Sequence, residues 1–335
     1  MIKEFQHPVI IGSGSWGTAL SLFLSSKCPQ VHLISRSESA ALQIQQARRN
    51  AQYLPHVELP DNLIATSELS VVSQADLILV VVPTFAMRET AKRLQSYQID
   101  PAAVLVSCSK GIELETGSRM SQIISESFPS NPIAVLSGPN HAEEIAIGLP
   151  AAATIGCADL NLGQSLQEIF SNDRFRSYTN QDIAGIELGG AIKNVFAIAA
   201  GVAVGLKLGD NAISALVTRA LAEMTRLGSA LGGQTETFAG LSGLGDLLAT
   251  CFSEHSRNHK VGLALGRGET LQEAVNALGM VAEGVPNTRS IYEAARRVQA
   301  RTPILDVVYA MLYQGVAPAV ALDRLFSRSP RQETD

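Results

Sequence analysis

The chain is 335 residues long, 46% hydrophobic and 17% charged, with a formal net charge of -5. This length allows more than one buried core, since single domains run to roughly 100–200 residues, and the acidic balance with no local basic cluster excludes nucleic acid and anionic membranes as expected partners. The four cysteines, Cys28, Cys108, Cys157 and Cys251, lack C-x-x-C spacing and matched histidines, so reduced thiols are expected and neither a disulfide framework nor a metal site is.

The opening MIKEFQHPVIIGSG has no basic segment leading into a long apolar one with a cleavage site, so a cytoplasmic location is expected. Short β-branched runs then alternate with amphipathic segments, the pattern of βαβ units in a mainly parallel sheet. They predict strands at Val9–Gly12, Val31–Ser35, Leu77–Val82, Val104–Ser107, Ile133–Leu136, Ala153–Cys157 and Phe175–Tyr178. Ile78-Leu79-Val80-Val81-Val82 is apolar throughout, as a strand covered on both faces would be.

After about Gln181 the composition shifts to Ala, Leu and Gly at helical spacing. Val195 to Leu206 is the most continuous apolar stretch, but it is shorter than the ~18 residues that suggest a membrane span, and Gly201 and Gly205 interrupt it. It reads as a buried helix. After the capping pair Asp210-Asn211, residues Ile213, Leu216, Val217, Ala220, Leu221, Met224 and Leu227 share one face, with Gly228 at the expected C-cap. Further helices are expected after Glu269-Thr270, after Thr288 and, as the last, from Pro303; a polar, frayed tail follows from Ser327. No repeat or low-complexity linker separates the halves. The expected division is 1–181, an α/β Rossmann-like dinucleotide-binding domain, and 182–335, an all-α substrate and catalytic domain, with a cleft between them.

Gly12-x-Gly14-x-x-Gly17 directly follows the first strand and opens a helix from Thr18 to Ser25. In this setting the glycines serve the tight turn, the approach of a pyrophosphate, and helix-to-strand packing. A purely structural glycine turn is the alternative. At the end of the second strand Ser35-Arg36-Ser37 stands where an NAD-selective site presents a carboxylate, which favours NADP(H); nearby Glu38 leaves NAD(H) open. Arg36 could equally be a solvated surface charge.

Lys110 and Ser137-Gly138-Pro139-Asn140-His141-Ala142 both follow strands, at the edge where open α/β sheets bind ligands; a simple strand-to-helix connection explains the second as well. Lys193 sits in an almost wholly apolar segment, Leu188 to Ala197. Desolvation and a neighbouring cation would lower its pKa from ~10.4 and make it a proton donor and acceptor, whereas a lysine whose stem packs and whose amine reaches water is the other reading. In the second half, Asp246 and Thr250 lie in Gly243–Thr250, followed by Ser256-Arg257-Asn258, an arrangement able to bind a phosphate dianion. His255 and His259 lack the partners that a metal site needs.

Taken in order, Gly12–Ala19, Ser109-Lys110-Gly111-Ile112-Glu113, Ser137-Gly138-Pro139, Gly189-Gly190-Ala191-Ile192-Lys193-Asn194, Gly243-Leu244-Gly245-Asp246-Leu247, Ser256-Arg257-Asn258 and Val281-Ala282-Glu283-Gly284 resemble the bacterial-type NAD(P)-dependent glycerol-3-phosphate dehydrogenases. The resemblance runs from Gly12 to about Leu325. It implies hydride transfer between a nicotinamide and C2 of dihydroxyacetone phosphate, giving sn-glycerol 3-phosphate for phospholipid synthesis, with Lys193 as general acid/base. It places Lys110, Asp246, Thr250 and Asn194 around the carbonyl, Gly138 and Asn140 on the substrate, and Ser256, Arg257 and Asn258 at its phosphate. Ser15, Trp16, Arg36, Lys110, Ala142, Arg257, Val281 and Glu283 are the implied cofactor contacts, beside the glycines of the first turn. Asn140 departs from the family's usual Ser or Thr, which touches only the detail of that contact. A homodimer is left open. The competing readings are a dehydrogenase for 3-hydroxy acids or a ketopantoate-like substrate, and an inactive cofactor-binding scaffold.

Overall fold

The computed structural model describes residues 3–327 and 332. Its strands are β1 (Pro8–Ile11), β2 (Val31–Ile34), β3 (Arg49–Asn50), β4 (Leu54–Glu58), β5 (Leu63–Thr66), β6 (Leu77–Val80), β7 (Val104–Ser107), β8 (Ile133–Ser137), β9 (Ala151–Cys157) and β10 (Phe175–Asn180). Eight form one sheet in the order β10-β9-β8-β7-β6-β1-β2-β5, while β3 and β4 form a separate hairpin. Neighbours in the large sheet are parallel, except that β8 and β9 are antiparallel.

The apolar runs follow from burial on both faces. Ile10, Leu33, Leu77, Leu79, Val104 and Val106 enter one core cluster, and Val9, Ile11, Ile34, Ile78, Val80 and Leu105 enter the opposite one. Alternate residues thus fill different cores, so no position in β6 can be polar. Helices α1 (Ser15–Ser25), α2 (Glu38–Ala47), α3 (Met87–Leu94), α4 (Met120–Ser127), α5 (Ala142–Ala146) and α6 (Leu160–Ile169) connect the strands. Leu20 and Leu24 of α1 and Leu166 of α6 cover the first face, and Met87 of α3 and Met120 of α4 cover the second.

The remaining described elements are helical: α7 (Ile183–Gly205), α8 (Asp210–Ala230), α9 (Asp246–Phe252), α10 (Arg257–Gly266), α11 (Leu271–Leu278), α12 (Gly284–Arg297), α13 (Pro303–Tyr313) and α14 (Pro318–Phe326), with short 3-10 and π turns between α8 and α9. By length and composition α7 could cross a membrane, but 89% of its most apolar window is buried inside the fold. It is the axis around which the second half packs: Val195, Phe196 and Ile198 share one core with Met224 of α8, Leu247 of α9, Val261 of α10 and Ile291 of α12.

Several boundaries differ from those expected. The first helix begins at Ser15 rather than Thr18, because Gly14, with its extended backbone, is the cap and Ser15 starts the turn. In α8 the cap is Gly209, and Asp210 is already helical; the apolar face from Ile213 to Leu227 is as read, but the helix continues past Gly228 to Ala230. Gly228 is needed for a different reason, since a Cβ there would fall 2.1 Å from Phe238 Cζ. The helix placed after Thr288 begins four residues earlier at Gly284, and α14 follows the one expected to be last. Apart from Ser327 and Gln332, the expected frayed tail lies outside the described residues. The sequence reading missed β5 and the β3–β4 hairpin. Each strand is short: β4 is largely exposed, and β5, at a sheet edge, offers only the brief run Leu63-Ile64-Ala65.

Candidate active site

The ends of β1, β2, β6, β7 and β8 share one edge of the sheet. β1 lies between β2 and β6, where strand order reverses, and open α/β sheets bind ligands at such a reversal. Lys110 comes three residues after β7, and Gly138 one residue after β8. Facing them, α7 carries Lys193 and α9 carries Asp246 and Thr250, all buried. The paired glycines of α7 permit this approach: a Cβ at Gly189 would lie 2.7 Å from Ser242 O, and one at Gly190 2.6 Å from Ser137 Oγ.

One carboxylate joins the two lysines. Lys193 Nζ donates to Asp246 Oδ1 over 2.7 Å and to Thr250 Oγ1 over 2.5 Å, while Lys110 Nζ donates to Asp246 Oδ2 over 2.7 Å. Lys110 also donates to Gly138 O at 3.0 Å and to Asn140 Oδ1 at 2.7 Å. The Nδ2 of Asn140 is buried without a hydrogen-bond partner among the described residues, at the edge of the cluster.

Burial pushes the Lys193 ammonium down to about 8, with Asp246 opposing the shift and the Lys110 cation adding to it. Burial alone would raise the Asp246 carboxyl, but the charges and hydrogen bonds of Lys110 and Lys193 outweigh it and hold the group below its ordinary range. The arrangement keeps an anion charged inside the protein and poises one of its two cationic partners to release a proton near neutral pH.

The expected phosphate residues lie at the start of α10. Ser256 caps that helix, its hydroxyl accepting from His259 N over 3.2 Å. The Asn258 amide is committed within the protein: Nδ2 donates to Asn194 Oδ1 over 2.9 Å, and Oδ1 accepts from Gly284 N over 2.8 Å. Half-buried Arg257 makes no hydrogen bond or ion pair among the described residues, and its charge acts on Glu283 across the gap. A cation at a helix N-terminus offers charge and N–H groups of the kind that suit a phosphate.

At the glycine turn, Gly12 has φ +118°, and a Cβ on it would lie 2.2 Å from Val81 O; a Cβ on Gly17 would lie 1.8 Å from Gly12 O. Gly14 faces open space, and no side chain caps α1. The first turn of α1 therefore has free N–H groups beside a surface a phosphate can reach, which fits a dinucleotide. Buried Trp16 Nε1 has no hydrogen-bond partner among the described residues. Arg36 is exposed just past β2, Ala142 is buried at the start of α5, and Val281 is exposed two residues before Glu283.

Models described as the N-terminus and C-terminus of NAD-dependent glycerol-3-phosphate dehydrogenase match residues 9–163 and 182–323. The chain belongs to the NAD-dependent glycerol-3-phosphate dehydrogenase family. It is 43% identical over 330 residues to a glycerol-3-phosphate dehydrogenase of Lysinibacillus sphaericus, covering 97% of each chain. It is 41% identical over 326 residues to one of Desulfitobacterium hafniense, covering 97% of this chain and 92% of the other. A crystal structure of glycerol-3-phosphate dehydrogenase from Coxiella burnetii superposes with a TM-score of 0.93 at 37% identity, covering 96% of this chain and 99% of that one.

Some residues that shape the site in this family member escaped the sequence reading. Asn50 Nδ2 donates to Ser13 O and to Thr18 Oγ1, each over 2.8 Å, and so fixes the glycine turn from outside it. Thr84 Oγ1 donates to Glu283 Oε2 over 3.1 Å, and Asn287 Nδ2 to Lys110 O over 2.7 Å, both bonds joining the sheet edge to the helical half. None lies in a recognisable motif, and the one available signal was an isolated polar residue, in a two-residue strand for Asn50, a 3-10 turn for Thr84 and a helix for Asn287.

Proposed function

We propose that this family member interconverts dihydroxyacetone phosphate and sn-glycerol 3-phosphate using NAD(P)(H), within residues 1–181 as the dinucleotide-binding domain and 182–335 as the substrate domain. The observation that carries the reading is the buried Asp246 shared by Lys110 and Lys193.

The residues divide the work as follows. When bound, the reduced nicotinamide supplies the hydride that reaches C2. Lys193 Nζ delivers a proton to the carbonyl oxygen, and Lys110 stabilises the negative charge developing there. Asp246 and Thr250 orient the Lys193 amine, and Asn194 lines the same pocket through its bond to Asn258. Gly138 and Asn140 flank Lys110 and meet the substrate; Arg257, with Ser256 and Asn258 shaping the helix start, holds its phosphate. Gly12, Gly14, Ser15, Trp16 and Gly17 hold the pyrophosphate region, and Ala142, Lys110, Arg257, Val281 and Glu283 hold the remainder of the cofactor. Arg257, with no bonded anion among the described residues, favours a phosphorylated substrate over a 3-hydroxy acid or a ketopantoate-like one, since an anion in the ligand would satisfy it. The product would feed phospholipid synthesis in the cytoplasm, with a homodimer as the proposed assembly.

The direct test is oxidation of NADPH and of NADH, followed separately, with dihydroxyacetone phosphate as substrate. Turnover is expected with NADPH and slower with NADH; absence of turnover with both cofactors removes the reading. The preference for NADP(H) rests on exposed Arg36 between Ser35 and Ser37. Arg36→Asp is therefore expected to weaken NADPH binding far more than NADH binding, by replacing a phosphate partner with a repelling carboxylate. Equal losses in the two dissociation constants would show that Arg36 does not read the 2′-phosphate.

A further inference from the structure

Asn287, the fourth residue of α12, is 1% exposed. An asparagine gains nothing from a helix interior, and a buried amide is stable only when its hydrogen bonds are made. Its Nδ2 donates to the main-chain carbonyl of Lys110 over 2.7 Å, across 177 residues of sequence. Lys110 lies beyond the end of β7, so this side-chain bond takes the place of a strand ladder bond. The next residue, Gly111, is pressed between two side chains: a Cβ there would lie 2.4 Å from Thr84 Oγ1 and 2.5 Å from Asn287 Oδ1. Thr84 in turn donates to Glu283, which directly precedes α12. The start of α12 thus grips both the loop after β6 and the loop after β7.

We propose that Asn287 is the positioning residue for Lys110, fixing its main chain so that its ammonium reaches Asp246 and the reacting carbonyl, and tying that placement to the Val281–Glu283 segment. The proposal rests on the assignment of Lys110 and Lys193 to the reaction. The lysine stem is long and flexible, and its ammonium must meet Asp246, Asn140 and Gly138 O together; a backbone free to shift would scatter those contacts. The charged and titratable groups acting on Lys193 are Asp246 and Cys251 from α9, Lys110 from the loop after β7, and His141 from the loop after β8. Of these, Lys110 is the cation placed by Asn287. When it withdraws, Lys193 keeps its proton to higher pH.

The test uses Asn287→Leu, which preserves side-chain size but removes the donor, and Gly111→Ala, which disturbs the same contact from the other side. The measurements are kcat and KM for dihydroxyacetone phosphate, the pH profile of kcat, the NADPH dissociation constant and the melting temperature. Both variants are expected to lose about 10- to 100-fold in kcat, the scale of a misplaced catalytic group, with an upward shift of the pH midpoint and a smaller loss of NADPH binding, since Lys110 also meets the cofactor. If either folded variant keeps the wild-type kcat and midpoint, the proposal is overturned. A fall in kcat with an unmoved midpoint also overturns it, since a merely structural defect would do the same. Lys193→Ala assayed in parallel separates the two levels: if it retains turnover, the underlying assignment fails, whereas if it is inactive and the Asn287 and Gly111 variants behave as wild type, the positioning role alone fails.

Discussion

Lys193→Ala is expected to lower turnover by at least about 10²-fold, the scale of lost general acid/base catalysis, while leaving the fold and NADPH binding close to wild type. The buried ammonium is held by Asp246 and Thr250, so its removal takes away the group best placed to hand over a proton. The fold should survive because Asp246 keeps its 2.7 Å contact with Lys110, and no buried charge is left alone. The pH dependence has a definite sign. Ketone reduction needs protonated Lys193, so kcat should be level at low pH and fall as pH rises through about 8; alcohol oxidation needs the neutral amine and should rise through the same region. Both inflections should disappear in the variant. A variant with most of its turnover, or with an unchanged pH profile, would remove Lys193 from the mechanism.

Arg257→Ala is expected to raise KM for dihydroxyacetone phosphate sharply, with little effect on the slow reduction of unphosphorylated dihydroxyacetone. A charge-assisted contact is worth about 1.5–3 kcal/mol, so the loss should be on the order of 10- to 100-fold. Arg257 stands at the start of α10 with no bonded anion among the described residues, and the Asn258–Asn194 bond ties that helix start to the residue after Lys193. Binding energy at the phosphate also helps align C2, so kcat should fall as well. The charge on Arg257 also acts on Glu283, which makes the NADPH dissociation constant of the variant the deciding control. A large cofactor defect with unchanged discrimination between the two substrates would defeat the phosphate assignment.

Motifs whose meaning is local could be read directly. Gly12, Gly14 and Gly17 follow an apolar strand, and strand, turn and helix are neighbours in the chain. The run at β6 announced a strand covered on both faces because every residue must enter one core or the other. Lys193 stood out as an anomaly within α7, although its own segment left a snorkelling lysine equally open, and the family resemblance supplied its role. Asn50, Thr84 and Asn287 carried no comparable signal. Each earns its place by bonding to a group 37, 199 or 177 residues away, and the polar residue by itself does not say whether it faces water or that partner.

The sequence by itself determined the alternation that builds the sheet, the glycine turn and the helical second half, because hydrophobic period and backbone freedom act over a few residues. Tertiary structure decided the strand order, the antiparallel β9, the start of α12 and the sharing of Asp246 by two lysines. Lys193 and Lys110 lie 53 and 136 residues from that carboxylate. Neither segment encodes the distance between them; it is set by how α7 and α9 pack against the sheet edge, and burial there is what lowers the Lys193 pKa far below that of an exposed lysine.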